Sequence, residues 1–190
     1  MKKLTSIITI LACLGICSAV MAEQPAVALS KVYVGGAIGY ADTGWSNYDS
    51  TGIGLSLSGG YHYNEYWSFE GTYTHFPTAT AASNIKVHTN TVGAFAKIHL
   101  PVNASNLNFY AKLGFADTMQ SGANSDSHIG LGMGYGFDYT LQRGLELQAQ
   151  YTHYVGKYTT STTVPNIDFY SVGLLYRLPK NFMQKLKATV

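Results

Sequence analysis

Ile129-Gly-Leu-Gly-Met-Gly-Tyr-Gly-Phe-Asp-Tyr139 alternates without a break, with an apolar or aromatic side chain at every odd position and glycine or aspartate at every even one. A period of two belongs to a β-strand, whose successive side chains point to opposite faces, so this segment has one apolar face and one nearly bare face. Outward from it in both directions the alternation recurs in segments of roughly ten residues, bounded by turn-rich breaks. The segments run from Val32 to Tyr40, Ile53 to Tyr63, Trp67 to His75, Val92 to Leu100, Leu107 to Phe115, Ile129 to Tyr139, Leu145 to His153 and Tyr170 to Leu178. Connections are short around Asn64-Glu65, Pro101 to Asn106 and Thr140 to Gly144, and long around 42–51, 77–90, 117–127 and 155–166. Short turns at one end and long loops at the other are the pattern of a barrel crossing an outer membrane, the short turns being periplasmic.

Alternation does not say which face is inside, and a soluble up-and-down barrel of the lipocalin type shows it too. Side-chain size decides. The apolar faces carry about fourteen aromatic rings, whereas an eight-stranded barrel has an interior just wide enough for ordinary side chains or one small ligand. Pointed outward, the rings form belts: Tyr40, Tyr73, Phe115, Tyr151 and Tyr170 near the loop end, and Tyr61, Trp67, Phe69, Phe109, Phe137 and Tyr176 among those near the turn end. Aliphatic residues such as Leu55, Leu113, Met133 and Leu174 lie between them. An aliphatic middle with aromatic rims matches a bilayer cross-section. The expected fold is all-β, an eight-stranded antiparallel up-and-down transmembrane β-barrel.

The chain's 190 residues hold one such domain once the N-terminus is set aside. Met1-Lys2-Lys3, the apolar run Ile7 to Val20, and Val20-Met21-Ala22 before Glu23 read as a secretory signal peptide over residues 1–22. A periplasmic N-terminal segment at 23–30, the barrel at 31–178 and a periplasmic tail at 179–190 complete the expected organisation. Both cysteines, Cys13 and Cys17, fall in the leader. The mature chain then has no disulfide and no Cys-based metal site. Ile10-Leu11-Ala12-Cys13 is also a candidate lipoprotein acceptor, but the apolar core before it is short and Leu is a poor residue before the small one. Without Lys2 and Lys3 the basic residues equal the 10 acidic ones. That balance argues against a nucleic-acid partner, which needs a basic stripe.

Segments such as Tyr110-Ala-Lys-Leu-Gly114 and Gly132-Met-Gly-Tyr135, in their order and spacing over about residues 31–178, resemble the eight-stranded outer-membrane barrels of outer membrane protein A and the opacity-type surface antigens. The last strand, Ser171-Val-Gly-Leu-Leu-Tyr-Arg-Leu178, is similar to that family's assembly signal, departing from it by ending in Leu178 and by the tail that follows. The resemblance implies the outer membrane of a Gram-negative bacterium as location. It also implies outer-membrane lipid, lipopolysaccharide and the barrel assembly machinery as partners.

The same parity sends Glu70, Lys97, Lys112, Glu146 and Arg177 into the lumen as a charge network, with Asp138, Tyr33, His62, Phe95, Tyr110, Gln148 and Gln150 beside them. Mixed signs in a confined space should pair, because unpaired buried charge is costly. Rearrangement of such a plug into a narrow pore is the second reading. Gly54, Ser56, Ser58 and Gly60 line the second segment inwardly, and Gly130, Gly132, Gly134 and Gly136 line the sixth, four strands away. These thin walls are expected either to let the barrel flatten or to admit long side chains, chiefly Glu70, Lys112, Gln148 and Arg177, the alternative being that glycine only eases curvature and packing.

Some barrels of this size modify lipid A, so catalysis, the third reading, must be argued from residues. A serine nucleophile needs an adjacent base. No His-x-Ser occurs in the strands, and Asp126-Ser127-His128 points adjacent side chains in different directions. No catalytic set, cofactor site or metal site is expected, since no two histidines sit two apart on a strand. Tyr73-Thr-His75 and Tyr151-Thr-His153 end the third and seventh segments alike, at the outer lipid interface. Thr78 to Ser83, Gln120 to Asp126 and Thr159 to Thr163 are small polar runs expected to be mobile. Binding usually resides on such loops. The expected function is that of a surface barrel with a structural and an adhesive or host-interaction role in its external loops, its outside partners being host surface molecules. In the tail Phe182, Leu186 and Val190 form an apolar stripe among lysines, suited to a membrane surface.

Overall fold

The computed structural model describes residues 29–44, 48–49, 51–81, 86–102, 106–121, 126–142, 144–158 and 163–180. The leader expected at 1–22 and the stripe expected in the tail lie outside the described residues. Eight long strands carry the fold: β1 (Leu29–Asp42), β2 (Thr51–His62), β3 (Trp67–His75), β4 (Lys86–Pro101), β5 (Leu107–Ser121), β6 (Asp126–Gln142), β7 (Leu145–Tyr154) and β8 (Ile167–Pro179). Each pairs antiparallel with its neighbour in sequence, and β1 also pairs with β8, from Tyr33↔Arg177 to Asp42↔Asp168, so the sheet closes. A closed sheet has no edge, as a strand bundle in lipid requires, because no water is there to satisfy a free edge.

Local chemistry sets the turns. Asn64 Oδ1 accepts the backbone N–H of Tyr66 at 2.9 Å and of Trp67 at 2.8 Å, folding the β2–β3 connection into an Asx turn. Gly144 adopts φ 81° in the β6–β7 turn, a conformation disfavoured for other residues, and its carbonyl accepts from Arg177 N–H.

Sidedness follows the sequence parity on all eight strands and is inverted relative to a soluble protein. Leu57, Phe115 and Ile129 are 64%, 66% and 68% exposed on the outer wall, while Ser68, Thr74 and Thr91 are fully buried inside. Such a continuous apolar exterior is stable only against lipid.

The strands run further at the long-loop end than alternation of apolar residues indicated. Residues 86–91 lie in β4, 117–121 in β5 and 126–128 in β6, so the expected loops at 77–90 and 117–127 are in large part ladder, with Thr91↔Thr118 and Gln120↔Asp126 in register. The physical reason is that above the bilayer the outer face turns polar, which removes the apolar signal while the inward face continues. Thr89, Thr91, Thr118 and Gln120 stay buried there, Thr91 and Thr118 joined hydroxyl to hydroxyl at 3.2 Å. Short strand pairs at Tyr48–Asp49 with Ala79–Ala81, and at Lys157–Tyr158 with Thr163–Val164, extend other connections. Leu29, Ser30 and Pro179, expected outside the barrel, belong to its strands.

Candidate functional site

The lumen is filled in two layers. In its middle and toward the short turns the side chains are charged and polar. Glu70 on β3 receives Lys97 from the neighbouring β4 at 2.8 Å, and Tyr33 from β1 donates to the same carboxylate oxygen at 3.0 Å. Lys112 on β5 stands 3.9 Å from the other Glu70 oxygen and donates to Gln150 Oε1 on β7 at 2.7 Å. Tyr110 joins the same Gln150 oxygen at 3.2 Å, and its ring lies 4.3 Å from Lys97 Nζ. Nearer the turns, Arg177 meets Glu146 at 2.6 Å, Gln148 donates to Asp138 at 3.0 Å, and His99 lies 2.7 Å from Ser68 Oγ.

The five charged residues anticipated as one network therefore stand as two groups. Glu70, Lys97 and Lys112 form a buried triad, and Glu146 with Arg177 forms a separate pair whose arginine is one-third exposed at the mouth.

Toward the long-loop end the lining becomes aromatic. Phe76, which follows β3, packs edge-on against Tyr154 at 5.8 Å and Phe169 at 5.6 Å, and Phe95 lies 6.4 Å from Tyr154. With Ala41, Ala116 and Ile167 they make one buried apolar cluster across the lumen. Lys112 joins the two layers, its ammonium 4.9 Å from the Phe95 ring. Sequence reasoning placed Phe95 inside but did not single out Phe76, Tyr154, Ile167 and Phe169. Parity was the available signal, since Phe76, Tyr154 and Phe169 each lie two residues from an inward Thr or Ser.

The glycine walls are occupied, though mostly by other residues than those expected. A Cβ on Gly60 would strike the Tyr33 ring, one on Gly54 would stand 3.0 Å from Phe169, and Gly132 and Gly136 lie under Phe95 and Tyr110. Of the four long side chains anticipated, Lys112 leans on Gly134, with Cε 3.0 Å from the Cβ position. Glu70, Gln148 and Arg177 are held instead by polar partners on their own side. Rings are the better occupants because an aromatic face fills a bare wall without leaving a polar atom unsatisfied.

On the outer wall the repeated Tyr-Thr-His segments form two like clamps. Tyr73 OH donates to Asn90 Oδ1 at 3.2 Å and His75 Nδ1 lies 2.7 Å from the same oxygen, His75 and Asn90 being direct cross-strand partners. Tyr151 OH donates to Asp168 Oδ1 at 2.5 Å and His153 Nδ1 lies 2.7 Å from it, again directly across the ladder. The offset that carries the first Tyr-Thr-His onto the second also carries Phe76 onto Tyr154 and Asn90 onto Asp168.

Known proteins share this architecture. Outer membrane protein A of Escherichia coli O157:H7 is 28% identical over 160 residues, covering 72% of this chain and 46% of its own length, so the chain spans about half of that curated relative. Neisserial surface protein A is similar in structure with TM-score 0.65, 23% identity, and coverage of 80% of this chain and 99% of that one. Ail, the attachment invasion locus protein of Yersinia pestis, solved with the heparin analogue sucrose octasulfate, has TM-score 0.53, 17% identity, and coverage of 78% and 97%. A model of the outer membrane protein β-barrel domain matches residues 9–177, nearly the whole chain. Closed sheet, inverted sidedness and this match agree: the chain belongs to the outer membrane protein β-barrel domain family and resides in the outer membrane of a Gram-negative bacterium.

Proposed function

We propose that this chain is a closed structural barrel whose working surface is its long-loop end, where it makes adhesive contacts with host surface molecules. The observation that carries this reading is the filled lumen. Among the described residues an aromatic layer packs the lumen above a hydrogen-bonded ion cluster, which supports a function at the ends of the barrel rather than through it. The β4–β5–β6 wall supports the reading, because its ladder continues past the aromatic belt and gives the connections there a rigid base. Ail, a barrel of the same fold, carries attachment in its name and was crystallised with a heparin analogue. The charge groups of the lumen, Glu70 with Lys97 and Lys112 and Glu146 with Arg177, serve in this reading as wall braces rather than as a gate.

Replacing 155–166 and 120–127 with short turns should abolish attachment of expressing cells to host cells or heparin-coated surfaces while leaving the barrel's heat-modifiable gel migration intact. Unchanged attachment, a stable single-channel conductance in planar bilayers, or an altered lipid A mass spectrum on expression would each replace the proposal with another.

A further inference from the structure

The two Tyr-Thr-His clamps share a geometry and differ in chemistry. At the first, Tyr73 OH and His75 Nδ1 meet the amide of Asn90, and Tyr73 lies directly across the ladder from Leu57 on one side and Val92 on the other. At the second, Tyr151 OH donates to the carboxylate of Asp168, and both residues directly across from Tyr151 are tyrosines, Tyr135 on β6 and Tyr170 on β8. Their ring centroids lie 5.3 Å and 4.9 Å from that of Tyr151. Tyr40 on β1 continues the row, directly across from Tyr170. Tyrosines thus stand side by side on β6, β7, β8 and β1. The row ends at Ala111 on one side and Ile53 on the other.

An aromatic belt accounts for rings at this height, and it is indifferent to what a phenol donates to. It does not account for a phenol held on a carboxylate in the middle of a row of phenols. A phenol gives up an electron readily only if its proton leaves with it, because the radical cation is a very strong acid. Asp168 is placed to take that proton, its Oδ1 being 2.5 Å from the phenol oxygen in a short, charge-assisted bond. His153 Nδ1, 2.7 Å from the same oxygen, holds the carboxylate in place. A carboxylate can hold a proton and an amide oxygen in water does not, so Tyr73 on Asn90 lacks this route. The second clamp is reachable from the long-loop end: Asp168 is the second residue of β8, its side chain is 39% exposed, and Tyr170 is 54% exposed.

We propose that Tyr151 is a one-electron oxidation site with Asp168 as its proton acceptor, and that oxidation closes the row into a Tyr151 to Tyr170 cross-link. The co-reactant is a diffusible one-electron oxidant outside the cell, of the kind a peroxidase generates. In the first step the oxidant takes an electron from Tyr151 and is reduced, while the O–H bond breaks and the proton passes to Asp168. A second oxidant takes an electron from Tyr170, whose proton goes to water. The two radicals join through a bond between ring carbons ortho to oxygen. Each of those carbons then loses its hydrogen as a proton, and each oxygen regains one. Two phenols and two oxidants therefore give one dityrosine, two reduced oxidants and two protons. Tyr170 is the partner rather than Tyr135 because its ring is the nearer and the closer to parallel, at 38° against 48°. The product ties β7 to β8 on the outer wall.

Folded barrel in detergent, oxidised by photogenerated tris(bipyridine)ruthenium(III) with persulfate, tests this through dityrosine fluorescence and mass spectrometry of the joined peptides. The unaltered protein should give a monomeric product linking Tyr151 to Tyr170, formed more slowly in deuterium oxide. Tyr151→Phe should abolish it. Asp168→Asn, which keeps an acceptor for the hydrogen bond but cannot hold the proton, should lower the initial rate about tenfold and remove the deuterium effect. His153→Ala, which loosens the clamp and keeps the carboxylate, should retain most of the rate, and Tyr73→Phe all of it. Heat-modifiable migration shows that each variant is folded. An undiminished rate in Asp168→Asn, a first cross-link between other tyrosines, or one formed only between two barrels would overturn the assignment.

Discussion

The two halves of the lumen solve one problem by opposite means. Around Glu70 the interior is closed by charge, with two lysines and a tyrosine on a single carboxylate. Around Phe76 it is closed by rings that meet edge to face. The difference shows what each layer depends on. A charge cluster is only as stable as its least compensated member, whereas an aromatic layer loses roughly the volume removed from it.

The largest effect is therefore expected from Glu70→Ala, which strands Lys97 and Lys112 in the lumen. Removing one member of a buried ion group costs about 3–5 kcal/mol. The midpoint of urea unfolding in lipid vesicles, followed by gel migration without boiling, should fall accordingly. Replacing Glu70, Lys97 and Lys112 together by Leu, Met and Met should recover most of the loss, because packed apolar residues of similar volume can replace a buried ion triad. Failure to recover would mean that the charges specify the barrel rather than merely fill it.

In the other layer Phe169→Ala opens a cavity between Phe76 and Gly54 and should cost about 3 kcal/mol in the same assay. Phe169→Leu should cost less than half of that. If the aromatic layer is what seals the lumen, Phe169→Ala should also produce brief conductance events in planar bilayers, while Arg177→Ala, which alters only the ion pair at the mouth, should not.

Parity made the charged layer legible and left the aromatic layer hidden, for a physical reason. Glu70, Lys97 and Lys112 stand out as charges in otherwise apolar segments, so their direction could be read from their neighbours. Phe76, Tyr154 and Phe169 lie at or beyond strand ends, where an inward ring looks like one more member of the outward belt. The eight strands and their facing were readable because outward aliphatics repeat at every second residue. The upper parts of β4, β5 and β6 were not, because at Asn90, Asp117 and Ser127 the outward residues become polar and the strand resembles a loop. The clamps lay between these cases: Tyr73-Thr-His75 and Tyr151-Thr-His153 were visible as a repeat, but their partners Asn90 and Asp168 come from neighbouring strands and needed the register.

The smallest expected effects separate the inner from the outer glycines and differ in sign. Gly136 lies against the Ala149 carbonyl and the Tyr110 hydroxyl, so Gly136→Ala forces backbone and ring apart and should destabilise by about 1–3 kcal/mol. Gly71 has only ordinary contacts at 3.8 Å and beyond, and alanine there removes freedom from the unfolded chain without strain. Gly71→Ala should therefore stabilise by about 0.5–1 kcal/mol when the barrel is unfolded from detergent. A loss instead would mean that the outer wall at this position is packed more closely than its contacts show.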